Sequence, residues 1–172
     1  MLGRPEPQEA APYYFTYIDA VAGDDPLSIL QIQLETSLEL FGTISEQDSL
    51  YSYAPGKWTI RELLQHVTDT ERAFAFRALW FARGFSEPLP GFDSDIAAAG
   101  ANANKLEWAD LIDEFRQVRV STLLLFRNLS AEAWMRTGIA STYSFTVRAL
   151  AFITAGHVEH HLRILRERYL AS

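Results

Sequence analysis

Residues 59–83 contain neither proline nor glycine, and they open on Thr59-Ile60-Arg61-Glu62. This is a capping box: the threonine hydroxyl satisfies the third residue's amide while the glutamate reaches back to the first. Trp58 and Leu63 flank it at the spacing of a hydrophobic staple. A helix over this run extends roughly 37 Å at 1.5 Å per residue, and Gly84 stops it. Leu63, His66, Thr70, Ala73, Arg77 and Trp80 recur on one face at the helical period. A helix of that length needs long partners to cover its apolar face.

The rest of the chain supplies them. Asp24 or Asp25 is placed to start a helix with Pro26 in its first position, where a missing N–H costs nothing. Leu27, Leu30, Leu34, Leu38 and Phe41 continue it to Gly42. Residues 85–104 form a long connection with two prolines in Glu87-Pro88-Leu89-Pro90, and Asn104 with Glu107 reads as the next cap. Residues 106–129 then follow helical spacing through Leu111, Phe115, Val118, Thr122, Leu125 and Leu129. Residues 130–134 suit a short helical turn and residues 137–143 a loop. A last helix begins between Ser144 and Val147 and runs to about Tyr169. Four long amphipathic helices with no convincing strand predict an all-α four-helix bundle. Its long connections mean that helices adjacent in sequence need not be adjacent in space. Residues 1–23, proline-rich over residues 1–12, are read as an extended lead-in, and residues 24–172 as a single bundle domain.

Composition narrows the function classes. Of the 172 residues, 48% are apolar and 22% charged, enough for one sizeable core. There is no cysteine, which excludes disulfides, thiolate metal sites and a cysteine nucleophile. A formal charge of −7 gives no basic field for nucleic acid. No run of about 18 apolar residues suits a membrane span, and the N-terminus lacks a basic segment followed by an apolar one. A cytoplasmic protein fits these features.

All four histidines lie on expected helices. His66 is on the second; His157, His160 and His161 are on the last. Residues four apart share one helix face, with Cβ atoms about 5–6 Å apart, so His157 and His161 can reach one ion. Leu150, Ile153, His157, His161 and Ile164 fall in a narrow arc, so both histidines point into the core, as His66 does on its own helix. Buried imidazoles need partners, and a metal ion satisfies three at once. A core role with ordinary hydrogen bonds is the competing reading. His160 shares the broad face, as a substitute for His161 or a group that supports it. The protease motifs H-E-x-x-H and H-x-x-E-H are absent, since Val158 and His160 stand where each needs its glutamate. Glu159 points away from His157.

Asp69, three residues after His66, could be a further ligand, a group supporting the histidines or a base; pairing with Arg72 or Arg61 is the alternative. Glu71 points off the histidine face and suits an ion pair. Arg77 lies on the His66 face, where it either holds an anionic substrate group or, the favoured reading, forms an ion pair. Arg163, Arg166 and Arg168 complement a helix C-terminus.

Three stretches carry a resemblance to a known family. They are Pro55-Gly56-Lys57-Trp58-Thr59-Ile60-Arg61-Glu62-Leu63-Leu64-Gln65-His66 with Asp69 and Glu71, then Pro90-Gly91-Phe92-Asp93, then Gly156-His157 through His160-His161-Leu162 to Arg168-Tyr169. The sequence from about residue 26 onward resembles the DinB-like (YfiT-type) superfamily. The resemblance implies an up-down-down-up four-helix bundle, a homodimer, and a divalent metal, zinc or nickel, held by His66, His157 and His161. Relatives of this type include transferases and isomerases that use mycothiol, bacillithiol or glutathione. The expected function is therefore a metal-dependent enzyme acting on a small molecule. It would resemble a thiol-dependent S-transferase, with the metal activating a cofactor thiol or water, the thiol coming from outside this cysteine-free chain. A non-catalytic, stress-related metal-binding dimer is the alternative.

Overall fold

In chain order the helices of the computed structural model, which describes residues 2–171, are α1 (Phe15–Ile18), α2 (Pro26–Gly42), α3 (Ile60–Ala82), α4 (Ser94–Ala101), α5 (Trp108–Arg127), α6 (Ala131–Trp134) and α7 (Val147–Ile164). Met1 and Ser172, the outer ends of the two expected regions, lie outside the described residues. The helix starts follow local chemistry. The Asp25 carboxylate accepts from the Ser28 amide at 3.1 Å. At α3 the Thr59 hydroxyl accepts from the Glu62 amide at 3.1 Å, and Glu62 accepts from the Thr59 amide at 2.8 Å. Gly84 takes φ +83°, the left-handed conformation that ends α3.

Contacts between named residues fix the helix directions. Phe41, late in α2, packs on Trp108 and Phe115, early in α5, while the Leu30 carbonyl, early in α2, accepts from Arg119, further along α5. These two helices are antiparallel. Arg61 donates to the Leu106 carbonyl at one end and Glu71 pairs with Arg119 a few turns on, so α3 and α5 run parallel. The Tyr169 hydroxyl donates to the Trp58 carbonyl at 2.8 Å, joining the start of α3 to the end of α7. The result is an up-down-down-up four-helix bundle. α2 and α3 each pack against both α5 and α7 and so lie across the bundle from one another. A core of Leu30, Phe41, Leu64, Phe81, Phe115, Phe126, Leu150 and Phe152 fills the space between them.

The structure departs from the sequence reading in four places. First, residues 2–23 are not extended throughout: Pro7–Glu9 and Pro12–Tyr14 form 3-10 turns, and α1 packs along α7. Arg4 donates to the carbonyls of Ile18, Val21 and Gly23, and buried Glu9 pairs with Arg148 and accepts from Thr146. Long-range polar contacts such as these leave no local pattern.

Second, residues 137–146 form a hairpin, β1 (Thr137–Ala140) antiparallel to β2 (Tyr143–Thr146). Its central residues Ser141 and Thr142 have φ +51° and +73°, a geometry that hairpins usually reach with Asn-Gly, so the turn signal was missing. The hairpin is held from outside. A Cβ on Gly138 would stand 2.0 Å from the Phe81 ring, and Leu89 exchanges backbone hydrogen bonds with Ile139 and Ser141. Third, the connection over residues 85–104 contains α4, capped by Asp93. Fourth, Asn104 does not cap α5. It sits in a 3-10 turn and accepts from the Thr59 hydroxyl at 2.6 Å, while Glu107 is the N-cap residue, with no side-chain hydrogen bond to the helix.

Candidate metal centre

His66 projects from the second turn of α3, and His157 and His161 from successive turns of α7. Because the two helices are antiparallel, the start of one meets the end of the other. His66 Nε2 lies 3.1 Å from His157 Nε2 and 3.2 Å from His161 Nε2. Two nitrogens bound about 2.0–2.1 Å from one zinc ion at cis or tetrahedral angles stand about 2.9–3.4 Å apart. These two separations match the edges of a metal-coordinating face, the three donors all lie within 4.8 Å of one another, and an imidazole set suits zinc, copper, iron or nickel. Among the described residues, this is the one group of three ligating side chains close enough to share an ion.

The electrostatics agree. Burial holds the His66 pKa down to about 4, against the opposing pull of the Asp69 and Asp95 carboxylates, and that of His161 down to about 3, where His66 and His160 oppose protonation further. His157, buried still more deeply, is lowered well below the ordinary range by burial and by its histidine neighbours. All three rings are neutral near pH 7 and present lone pairs. Aromatic packing orients them: Trp58 lies 4.7 Å from the His66 ring, and Tyr17 and Phe74 lie edge-on to His157 at 5.5 and 5.9 Å.

The triangle forms the floor of an open cavity of about 320 Å³. The face of α3 marked out by the sequence supplies one wall, with His66, Thr70, Ala73 and Arg77. Sequence reasoning missed much of the rest. Tyr13, Tyr14 and Tyr17 come from the segment read as a lead-in, Ser141 from the hairpin turn, and Phe92 and Ser94 from the connection. The density of tyrosine over residues 13–17 was the one available signal that this segment packs rather than trails.

The other candidates separate clearly. Asp69 lies outside the triangle, paired with Arg72 at 3.0 Å and accepting from Gln65 at 3.1 Å. His160 stands at the cavity rim, half-buried, its ring 5.6 Å from Tyr17 and 5.1 Å from His161. Glu71 is a buried partner of Arg119 at 2.7 Å. Arg61 pairs with Glu46 rather than Asp69. Arg77 overturns its favoured reading: it forms no ion pair among the described residues. Its guanidinium, 5% exposed as a residue, donates to the Ser141 hydroxyl at 3.0 Å and faces Tyr14 inside the cavity. The carboxylate a buried arginine ordinarily finds is absent there because the facing elements are the tyrosine segment and the hairpin.

The sequence profile of the DinB superfamily matches residues 29–165. The chain belongs to the DinB superfamily. No curated protein sequence matches it significantly. Among solved structures, YfiT from Bacillus subtilis, described as a probable metal-dependent hydrolase with an unusual four-helix bundle topology, superposes with a TM-score of 0.73. It is 14% identical over 97% of this chain and 91% of that one. A mycothiol-dependent maleylpyruvate isomerase superposes with a TM-score of 0.69 at 14% identity, over 84% of this chain and 61% of the isomerase. At these identities the likeness speaks for the fold. This DinB-superfamily chain thus carries the bundle with a three-histidine cluster able to hold a divalent metal ion. No helix among its described residues is long and apolar enough to cross a membrane.

Proposed function

We propose that this protein is a metal-dependent enzyme of the thiol-transferase or hydrolase kind, with His66, His157 and His161 as the ligands of zinc or nickel. One observation carries the reading: three neutral imidazoles converge at the base of an open cavity lined by aromatic and polar side chains, and no carboxylate joins them among the described residues. Three protein ligands leave a position for water or substrate, whereas structural sites are usually closed by four. A divalent ion there supplies acidity, lowering the pKa of a bound water or thiol so that the anion exists near neutral pH. Trp58, Tyr17 and Phe74 hold the imidazoles in place and limit water around them. His160 at the rim, the least buried of the four histidines, is placed to exchange protons with solvent. A thiol, such as the mycothiol named for the isomerase neighbour, must come from outside, since the chain has no cysteine. A homodimer belongs to the same proposal, supported by exposed Phe76, Leu79 and Leu124 along the α3–α5 groove, and sedimentation measures it.

Metal content of protein purified without a histidine tag is the test. Wild type is expected to carry about one ion per chain. His66→Ala should lower affinity at least about 100-fold, since losing a group that merely supports a ligand already costs 10–100-fold. Equal metal content in the two proteins would sink the site. Transfer or hydrolysis assays with low-molecular-weight thiols and electrophiles then separate the enzyme from a non-catalytic metal-binding bundle.

A further inference from the structure

The geometry points to a second recognition element in the same cavity: Arg77, with the Ser141 and Tyr14 hydroxyls, binds the carboxylate of a small organic acid whose other end reaches the histidine triangle. This deepens the function proposed above, since it takes that cavity as the substrate site. Four observations support it. Arg77 is buried yet has no acidic partner among the described residues, and burying a cation without one is costly. Its neighbours are neutral hydroxyls, Ser141 at 3.0 Å and Tyr14, which can donate to an anion in their midst. Among the described residues that line the cavity, Arg77 is the single arginine or lysine, which suits a monoanion such as a carboxylate. Its planar fork matches that group with two parallel hydrogen bonds.

The distance fits a small molecule. The Arg77 guanidinium lies 5.8 Å from the Phe74 ring centre, and that ring lies 5.9 Å from His157, so one aromatic ring separates the cation from the triangle. Along the wall between them, the buried Thr70 hydroxyl has no hydrogen-bond partner, a state that native structures seldom leave unexplained.

The test compares hexanoate with 1-hexanol by calorimetry on the protein as purified, with metal content measured on the same samples. Wild type should bind hexanoate at least tenfold more tightly than the alcohol. Arg77→Met, which keeps the aliphatic volume, should abolish that preference without changing metal content, and Arg77→Lys should retain part of it. Equal binding of acid and alcohol by wild type, or a preference that survives in folded Arg77→Met, overturns the proposal. If Arg77→Met does not fold, Ser141→Gly decides, because glycine accepts the positive φ: a several-fold loss of hexanoate affinity upholds the site and no loss overturns it. Protein without metal that still prefers hexanoate would fail the metal reading alone. Metal-loaded protein without the preference would fail this one alone.

Discussion

A histidine can give a lone pair to a metal only when neutral, and here burial rather than a hydrogen-bonding partner keeps His66, His157 and His161 in that form. The consequence is a pH dependence of fixed sign. Each of the three has a pKa in the folded protein below its ordinary value near 6.5, to about 4 for His66 and about 3 for His161. Above pH 6.5 both folded and unfolded chains hold these rings neutral, and stability is unaffected. Below it the unfolded chain takes up protons that the folded one refuses, which favours unfolding by up to about 1.4 kcal/mol per pH unit for each ring. The metal-free protein should therefore lose stability as the pH falls from about 6.5 towards 4, measured by urea unfolding, and His66→Gln should flatten the decline. An unchanged midpoint over that window would show that the rings are not buried as described.

At the scale of elements, the decisive packing is between α1 and α7. A Cβ added to Gly156 would lie 1.9 Å from the Tyr17 carbonyl oxygen, a backbone atom that cannot swing aside. Glycine is required at this point in α7 so that α1 can bring Tyr17 onto His157 and His160. Gly156→Ala should push α1 off the bundle. The expected cost is about 1–3 kcal/mol, the usual range for overpacking, together with faster proteolytic cleavage within residues 1–23. Cleavage at the wild-type rate would mean that the N-terminal segment is held by other contacts, such as Glu9 with Arg148.

Across the whole molecule, one buried ion pair ties three of the four long helices together. Arg119 of α5, fully buried, donates twice to Glu71 of α3 at 2.7 and 2.8 Å, and also to the Leu30 carbonyl and the Gln33 side chain of α2. Gln33 in turn donates to the Ala155 carbonyl of α7, two residues before His157. Removing one charge leaves the other stranded, so Glu71→Gln or Arg119→Met should each cost about 3–5 kcal/mol. The double substitution Glu71→Leu with Arg119→Met should recover much of that loss. Chemical denaturation of the three variants measures it, and a double variant no better than the sum of the singles would deny the coupling.

The sequence by itself determined what depends on near neighbours. The capping box at Thr59, the aspartate-proline start at Asp25-Pro26 and the apolar period of each long helix were legible because they arise within one or two turns of chain. The same period placed His66, His157 and His161 inward, and it grouped Thr70, Ala73 and Arg77 on the His66 face. It could not separate His160 from His161, since neighbouring residues differ in direction by less than the arc of a core face. The family resemblance favoured His161, and the tertiary structure sets its Nε2 3.2 Å from that of His66 while His160 stands at the cavity rim. The tertiary structure also decided that α3 and α7 run antiparallel, and so that three nitrogens distant in sequence stand about a hydrogen bond apart. It closed the cavity with Tyr17, Ser141 and Phe92, which come from segments with no helical or alternating pattern. It left Arg77 among hydroxyls instead of opposite an acid, because an ion pair is made by whichever element packs against the residue.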